Sequence, residues 1–381
     1  MTNPNLHHDR FAWARSMQTT MPERIREVED AAKRNYQIMA LLEAGGRIST
    51  NHSGEGIRWP VKYKFHKAQA ATGENTRNFT PTNLWKHAIL DYRGYEVTDS
   101  VKRRELEKNK GEEAIIRLSD GFADRLQESL IEELGPQFYV DGQAADNELF
   151  WHGFKTLSQT NGQTFNSSSP YAARTANAAD KIAVPAGTYA GLNMAPGTYG
   201  GSQSTSAPWP EATADSQYDF WSALNVVSNS TAFGDGTNPG RDWEKALRYG
   251  ITHAQRNSTM EGQTTNVWMD RSEFIDLKNY NDGRQTIEVK MGTSLLELGF
   301  RNVFVFDGVE ISWETAVPVG YGFGLSLECL ELLVLTANLF EVEGPEYDMH
   351  TQSMNCVVST LSNLKYKSPR NFCIWKPLSE V

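Results

Sequence analysis

The clearest pattern in the chain is a strict alternation of apolar and polar residues that begins at position 57. Apolar side chains occupy the odd positions, and they are Ile57, Trp59, Val61, Tyr63 and Phe65. Polar residues or proline occupy the even positions, which is the period of a strand with one apolar face. A second apolar run, LWKHAILDYRGYEV, follows from position 84. The pattern predicts a two-stranded ribbon over 57–66 and 84–97 with a long polar connection.

This ribbon needs a surface to lie on. Pro60 cannot donate a backbone hydrogen bond, so the first strand is predicted at an edge. A lone two-stranded ribbon is only marginally stable in water. Burial of five large apolar side chains contributes about 8–15 kcal/mol before conformational entropy is subtracted. We therefore expect a partner surface to cover the apolar face.

Helical spacing dominates two other segments. A helix is predicted from about Pro22 to Ala44, because proline suits a first turn and Gly45-Gly46 stops a helix. A second, longer helix is predicted over Asn109–Leu134, where apolar residues recur every three or four positions. It has a length of about 37 Å and is predicted to end at Gly135-Pro136.

The rest of the chain predicts a mixture of helices and strands. Residues 158–240 are rich in Gly, Ser, Thr and Asn, and we interpret them as ordered loops. Further elements are predicted as a helix near Asp242–Asn257, a strand over 266–270, a helix capped by Ser272, a hairpin turning at Asp307-Gly308, and closing strands after 328. The predicted class is α+β.

Composition is that of a folded chain, with 39% hydrophobic and 22% charged residues. No run of about 18 apolar residues is present, so we expect no membrane span. The N-terminus has no apolar core of a secretory signal. Cys329, Cys356 and Cys373 lack CxxC spacing, and we expect reduced thiols in a cytoplasmic product.

Charge is unevenly distributed along the chain. The formal net charge is -10, yet residues 57–110 contain 12 Lys and Arg against 6 Asp and Glu, a net of +6. An acidic body with a basic arm suits a protein whose arm meets another copy of itself. An uneven but solvated surface is the ordinary alternative.

No pattern predicts a catalytic, cofactor or metal site. The eight histidines have no metal-ligand spacing, and no GxSxG motif is present. The glycines of 320–324 lack the strand–turn–helix context of a phosphate loop, and the acidic residues of 341–346 lack calcium-loop spacing. Trp209 and Trp221 could form a sugar-binding platform, although packing in a core or interface is the more ordinary role of such residues.

The order of the predicted elements resembles that of the major capsid proteins of tailed bacteriophages. That fold is shared by encapsulins and the herpesvirus capsid floor. The segments that carry the resemblance are the ribbon, the 109–134 helix, YVDGQAADNELFWHGFKTL and NVFVFDGVEISWETAVPVG. The implied domains are an N-terminal arm over 1–50, an extended β-hairpin loop over 51–97, a peripheral domain with the spine helix over 98–141, an axial domain over 142–332 and a peripheral return over 333–381.

The resemblance implies a non-enzymatic shell protein. It implies that copies of the chain form hexamers and pentamers and that these build an icosahedral shell, the capsid of the virion. The shell is implied to assemble in the bacterial host cytoplasm. It encloses double-stranded DNA, which the chain is implied to contact weakly and without sequence specificity. Further implied partners are a separate scaffolding protein, a portal and, as a candidate, a decoration protein. We expect the ribbon to find no cover on its own chain, so the resemblance implies that it contacts a neighbouring subunit. The implied contact residues are Ile57, Trp59, Val61, Tyr63, Phe65, Lys67 and Arg77.

Two alternatives remain at this point. An encapsulin-like nanocompartment would share the fold and enclose protein cargo instead of DNA. A carbohydrate-binding or carbohydrate-cleaving protein would use the tryptophan-rich middle of the chain.

Overall fold

The computed structural model of the 381-residue chain describes eleven stretches, which are 36–64, 83–108, 125–126, 128–165, 180–199, 217–229, 232–234, 238–255, 263–282, 298 and 303–381. They form two compact units. The first unit takes its residues from 1–54, 92–153 and 332–364, and the second from 55–91, 154–331 and 365–381.

The described residues contain both helices and strands, which confirms the α+β class. The helices are α1 (Gln37–Ala44), α2 (Arg103–Lys108), α3 (128–137), α4 (Pro239–Ala254) and α5 (Arg271–Asp282). The strands are β1 (Ile48–Ser49), β2 (Ile57–Lys62), β3 (Trp85–Leu90), β4 (Arg93–Lys102), β5 (Thr160–Thr164), β6 (Ile182–Pro185), β7 (Thr188–Tyr189), β8 (Leu192–Asn193), β9 (Leu224–Val227), β10 (Asn266–Met269), β11 (Val303–Phe306), β12 (Val309–Trp313), β13 (Gly322–Leu325), β14 (Leu330–Val334), β15 (Glu341–Asp348), β16 (Ser353–Tyr366) and β17 (Cys373–Lys376).

In the first unit, α1 is a core helix that ends at Ala44, as predicted. Every residue from Gln37 to Leu42 is buried, so the helix is enclosed on all sides. Tyr36 is extended rather than helical, so the predicted helix does not run through this position. The earlier part of that prediction, 22–35, lies outside the described residues.

The predicted spine helix is seen only in its last part. Residues 109–124 lie outside the described residues, whereas 125–126 and α3 are helical. The prediction that Gly135-Pro136 ends the helix is wrong, because α3 continues through both. Gly135 is required by close packing: a Cβ there would lie 2.5 Å from Cε1 of Tyr36. The Tyr36 hydroxyl also donates to the carbonyl of Ile131 at 2.6 Å.

A five-stranded sheet is the centre of the first unit. Its order is β1-β14-β16-β15, and β4 also pairs with β16. β4 and β16 are antiparallel, from Ser353 opposite Lys102 to Ser362 opposite Arg93. The predicted strand over 84–97 is therefore two strands, because the chain leaves the ribbon at Asp91 and enters this sheet at Arg93.

The edge strand β15 carries a bulge. Its register with β16 shifts between Glu343 and Glu346. Gly344 has a φ of 109°, and a Cβ there would lie 2.8 Å from the carbonyl oxygen of Asn355. Glycine is suited to this left-handed backbone and close approach, so the bulge is encoded in the sequence.

The second unit contains a mixed eight-stranded sheet in the order β11-β12-β10-β13-β17-β9-β6-β5. Side chains of α4 and α5 form one core with strands of this sheet. α4 begins at Pro239 rather than Asp242, because the Asn238 side chain accepts a hydrogen bond from the backbone of Arg241. The hairpin prediction is confirmed: β11 and β12 are joined at Asp307 and Gly308, with φ of 49° and 82°.

The prediction of loops over 158–240 is wrong in part, since five short strands lie there. β6 and β9 are buried at every position, and such strands show no alternation. The closing residues also divide between the units, because β17 belongs to the eight-stranded sheet whereas residues up to 364 belong to the first unit. The predicted domain bounds, a peripheral domain over 98–141 and 333–381 and an axial domain over 142–332, stay a prediction.

We predict that Gly94→Ala destabilises the first unit by about 2–3 kcal/mol, which is the range of overpacking. Gly94 lies on β4, and a Cβ at this position would lie 1.6 Å from the carbonyl oxygen of Thr360 on β16. Urea unfolding of the unassembled chain measures the effect. The control is Thr98→Ala, an exposed position on the same strand. Equal unfolding midpoints for the two variants would contradict the prediction.

Candidate functional site

The ribbon is the candidate site, and its alternation is confirmed. β2 and β3 pair antiparallel from Ile57 opposite Leu90 to Lys62 opposite Trp85. Along β2 buried and exposed residues alternate without exception. Tyr63 follows β2 and is half-buried. Phe65, Lys67 and Arg77, which were also predicted to make contacts, lie outside the described residues.

The apolar face of the ribbon is covered by its own chain. Ile57, Trp59 and Val61 are only 6%, 7% and 8% exposed. The Trp59 ring lies 6.4 Å from that of Tyr189 and 6.3 Å from that of Trp221, measured between centroids. Its indole N–H donates to the carbonyl of Lys367 at 3.3 Å. The expectation that the ribbon finds no cover within its own chain is therefore wrong.

The floor beneath Trp59 is a rigid aromatic stack. The rings of Tyr189 and Trp221 are stacked, with centroids 6.0 Å apart. The Trp221 indole donates to the Tyr189 carbonyl at 3.1 Å, and the Tyr189 hydroxyl accepts from the backbone N–H of Tyr366 at 3.0 Å. Burial raises the pKa of Tyr189, so its hydroxyl stays neutral. These bonds fix the orientation of the surface that receives the ribbon.

A second aromatic group holds the end of the ribbon near Tyr63. The Tyr63 ring lies 5.8 Å from that of Phe220, and the Lys86 ammonium lies 3.8 Å from the centre of the Tyr199 ring. Burial lowers the pKa of Lys86, while the aromatic face attracts its positive charge. On β3, the backbone N–H of Ile89 donates to the carbonyl of Ala190 at 2.9 Å.

An ion-pair cluster stands beside Trp59. Glu331 accepts from the Lys365 ammonium at 2.9 Å and from the Lys367 ammonium at 2.7 Å. Burial alone would raise the pKa of Glu331, but the hydrogen bonds from both lysines outweigh it and hold that pKa below its usual value. The Lys365 ammonium also lies 5.5 Å from the centre of the Trp59 ring.

The opposite face of the ribbon, which we name the outer face, is exposed. It consists of six residues in register, which are Arg58, Pro60 and Lys62 on β2 and Trp85, His87 and Ile89 on β3. Trp85 is 50% exposed and Ile89 is 44% exposed. Sequence reasoning assigned contacts to the other face, because a period of two does not show which surface is available.

Among the described residues, the remaining candidates from the sequence form no site. Trp221 is 1% exposed and cannot stack on a sugar, and Trp209 lies outside the described residues. Gly322 and Gly324 lie within β13, not in a loop before a helix. In the described part of the chain, no group of three or more His, Cys, Asp or Glu residues is arranged to hold a metal ion. No described helix is long and apolar enough to cross a membrane.

No protein-family model and no curated protein matches the chain. Among solved structures, a chain of the Cyanophage A-1(L) capsid asymmetric unit matches with a TM-score of 0.53 and 13% identity, covering 90% of this chain and 92% of that one. The chain has the tailed-phage capsid fold. Other matches are the capsid of a native GTA particle (TM-score 0.45, 10% identity, covering 88% of this chain and 90% of that one) and a virus-like particle from Pyrococcus furiosus (TM-score 0.38, 12% identity, covering 90% and 98%).

We predict that Trp59→Ala and Trp85→Ala differ sharply in the stability of the unassembled chain. Trp59 is buried against the aromatic stack, so its truncation lowers the unfolding free energy by about 3–5 kcal/mol. Trp85 lies on the same ribbon but is exposed, so its truncation changes that energy by about 0.5 kcal/mol or less. Urea unfolding measures both, and equal losses would contradict the packing described for the capsid-fold ribbon.

We predict a pH-dependent contribution from Glu331. Its pKa is lowered in the folded chain from a usual 4.5, so its stabilisation is present above that pH and is lost as pH falls through the folded pKa. Glu331→Gln therefore costs about 1 kcal/mol at neutral pH, a modest value because the pair is partly solvated, and nothing in strong acid. Urea unfolding from pH 7 to pH 3 measures this difference. The control is Glu328→Gln, since Glu328 is exposed, and a loss that did not change with pH would refute the assignment.

Proposed function

We propose that this chain is a major capsid protein that assembles into the icosahedral shell around the double-stranded DNA of a tailed phage. The likeness to the cyanophage capsid chain supports the proposal, because it extends over 90% of this chain and 92% of that one. The likeness in sequence is only 13%, so the function rests on the fold and on surfaces suited to contact between copies.

The proposed assembly determines the partners. Copies of the chain form hexamers and pentamers, with residues 142–332 proposed as the axial domain and residues 98–141 and 333–381 as the peripheral domain. A separate scaffolding protein, a portal and a decoration protein are proposed as further partners. The net charge of -10 favours only weak, non-specific contact with the enclosed DNA. The protein acts without catalysis, in the virion, after assembly in the bacterial cytoplasm.

The ribbon is proposed to contact a neighbouring copy in this shell. Ile57, Trp59 and Val61 are buried and hold the ribbon on its own chain. Their role in the proposed contact is therefore to position the ribbon. Tyr63, Phe65, Lys67 and Arg77 stay proposed as contact residues toward the tip. An encapsulin-like shell has the same fold, so the cargo distinguishes the two functions: DNA supports a capsid, and enzyme cargo supports a nanocompartment.

Electron microscopy tests the proposal directly. The chain is produced alone and together with the proteins encoded beside it, and the products are examined by negative staining and light scattering. We expect shells or capsomers, with closed shells of uniform size when a scaffolding protein is present. A chain that stays monomeric at high concentration under both conditions would contradict the proposal.

A further inference from the structure

We propose that Asn161 is a site of covalent modification, at which the side-chain amide is lost through attack by the backbone nitrogen of Gly162. The products are aspartate and isoaspartate at position 161. This inference goes beyond the proposed function, which involves no covalent change within the chain.

The two residues form the single Asn-Gly pair of the sequence. Glycine has no side chain beside its backbone nitrogen, so this nitrogen is the least hindered nucleophile that can follow an asparagine. Asn161, Gly162 and Gln163 are all exposed, and a Cβ added at Gly162 would meet no atom within 4 Å. Water and hydroxide therefore reach the reacting atoms freely.

The backbone at this point is not fixed by the sheet. β5 is the last strand of the eight-stranded order and pairs with β6 at Thr160 and Thr164 only. Between these two pairs β5 has three residues, 161–163, whereas β6 has one, Val184. The extra residues form a bulge, in which Gly162 has a φ of 80°. Rotation of this segment toward a ring-closing geometry breaks no regular ladder.

A local hydrogen bond prepares the side chain for attack. The backbone N–H of Gln163 donates to Oδ1 of Asn161 at 3.0 Å. The bond folds the amide back along the main chain, next to the nitrogen of Gly162 between them. It also draws electron density from Cγ and can stabilise the negative charge that develops on Oδ1, as a donor of an oxyanion hole does.

The reaction needs no reagent other than water. The nitrogen of Gly162 loses its proton and attacks Cγ of Asn161, so that a C–N bond forms and closes a five-membered succinimide. The side-chain nitrogen takes up a proton and leaves as ammonia. Water then opens the ring. Cleavage between the ring nitrogen and Cγ gives aspartate, and cleavage between that nitrogen and the main-chain carbonyl carbon gives isoaspartate.

The modified residue lies next to a buried lysine. The Lys376 ammonium, on a side chain of a residue only 1% exposed, donates to the Thr160 hydroxyl at 2.7 Å. It also donates to the carbonyl of Ser158 at 3.1 Å and to that of Glu380 at 2.9 Å. Isoaspartate lengthens the main chain beside Thr160 by one CH₂ group and adds a negative charge. The change therefore disturbs the strand that supplies one of the three acceptors of this ammonium.

Ageing of the purified, unassembled full-length chain tests the proposal. Peptide mass spectrometry measures the loss of the amide at Asn161 as a gain of about 1 Da, and electron-transfer fragmentation distinguishes isoaspartate from aspartate. We expect both products. We also expect a rate that rises about tenfold per pH unit above neutrality, because the attacking nitrogen must first lose its proton.

The controls separate ring closure from general lability of asparagine. Asn279 is also exposed but lies within α5 before a tyrosine, and it serves as the comparison within the same molecules. Gly162→Ala adds a methyl group beside the attacking nitrogen, and we expect the rate at Asn161 to fall about tenfold or more. Asn161→Gln keeps the amide but requires a larger ring, so we expect no loss at this position. Thermal unfolding before ageing checks that both variants are folded.

The outcomes decide the proposal without reference to assembly. Loss of the amide at Asn161 no faster than at Asn279, or as fast in Gly162→Ala as in the natural chain, would overturn it. Aspartate without isoaspartate would overturn the succinimide route, because direct hydrolysis gives aspartate alone. Since the test uses the unassembled chain, its failure leaves the proposed function standing, and a chain that forms no shells can still be modified.

A second measurement tests the effect on Lys376. We expect the thermal midpoint of the aged natural chain to fall by about 2–4 °C relative to the fresh chain, and that of aged Asn161→Gln to stay unchanged. An equal fall in both chains, or no fall in a chain shown to contain isoaspartate, would contradict the link between the modification and the buried lysine.

Discussion

The burial of Trp59 against Tyr189 and Trp221 is the interaction on which the position of the ribbon depends. Two strands with one apolar face have too little core to fix their own position. The aromatic stack supplies that core, and the bonds of the Tyr189 hydroxyl and the Trp221 indole keep the stack in one arrangement. Once one face is held down in this way, the geometry of a strand leaves only the other face for contact with other molecules.

Local patterns predicted elements well wherever a single face or a single turn determined them. The alternation in β2, the end of α1 at Ala44 and the hairpin at Asp307 all follow from rules that operate within a few residues. Packing between distant segments was not predictable in this way. The cover for Trp59 begins some 130 residues further along the chain, at Tyr189. Gly135 lies within a helix, where a Cβ would lie 2.5 Å from a ring atom of the distant Tyr36.

At the candidate site, too, the local pattern was predictable from the sequence and the packing between distant segments was not. Sequence reasoning identified the ribbon and its two faces, but it assigned contact to the face that the chain covers itself. Exposure depends on the rest of the fold: Ile57 and Ile89 are similar in sequence terms, yet one is 6% and the other 44% exposed. The tailed-phage capsid fold, shared at 13% identity with a cyanophage chain, likewise depends on the order and packing of elements and not on a short motif.

The bulge at Gly344 has a consequence for how such a molecule can multiply its contacts. An unbroken exposed edge on β15 would allow strands of other molecules to add to it without limit, as in an amyloid fibre. The bulge at Gly344 in β15 and the proline at position 60 in β2 make such strand addition unfavourable at these edges. The bulge that interrupts pairing along β15 therefore also limits the addition of further strands at this edge.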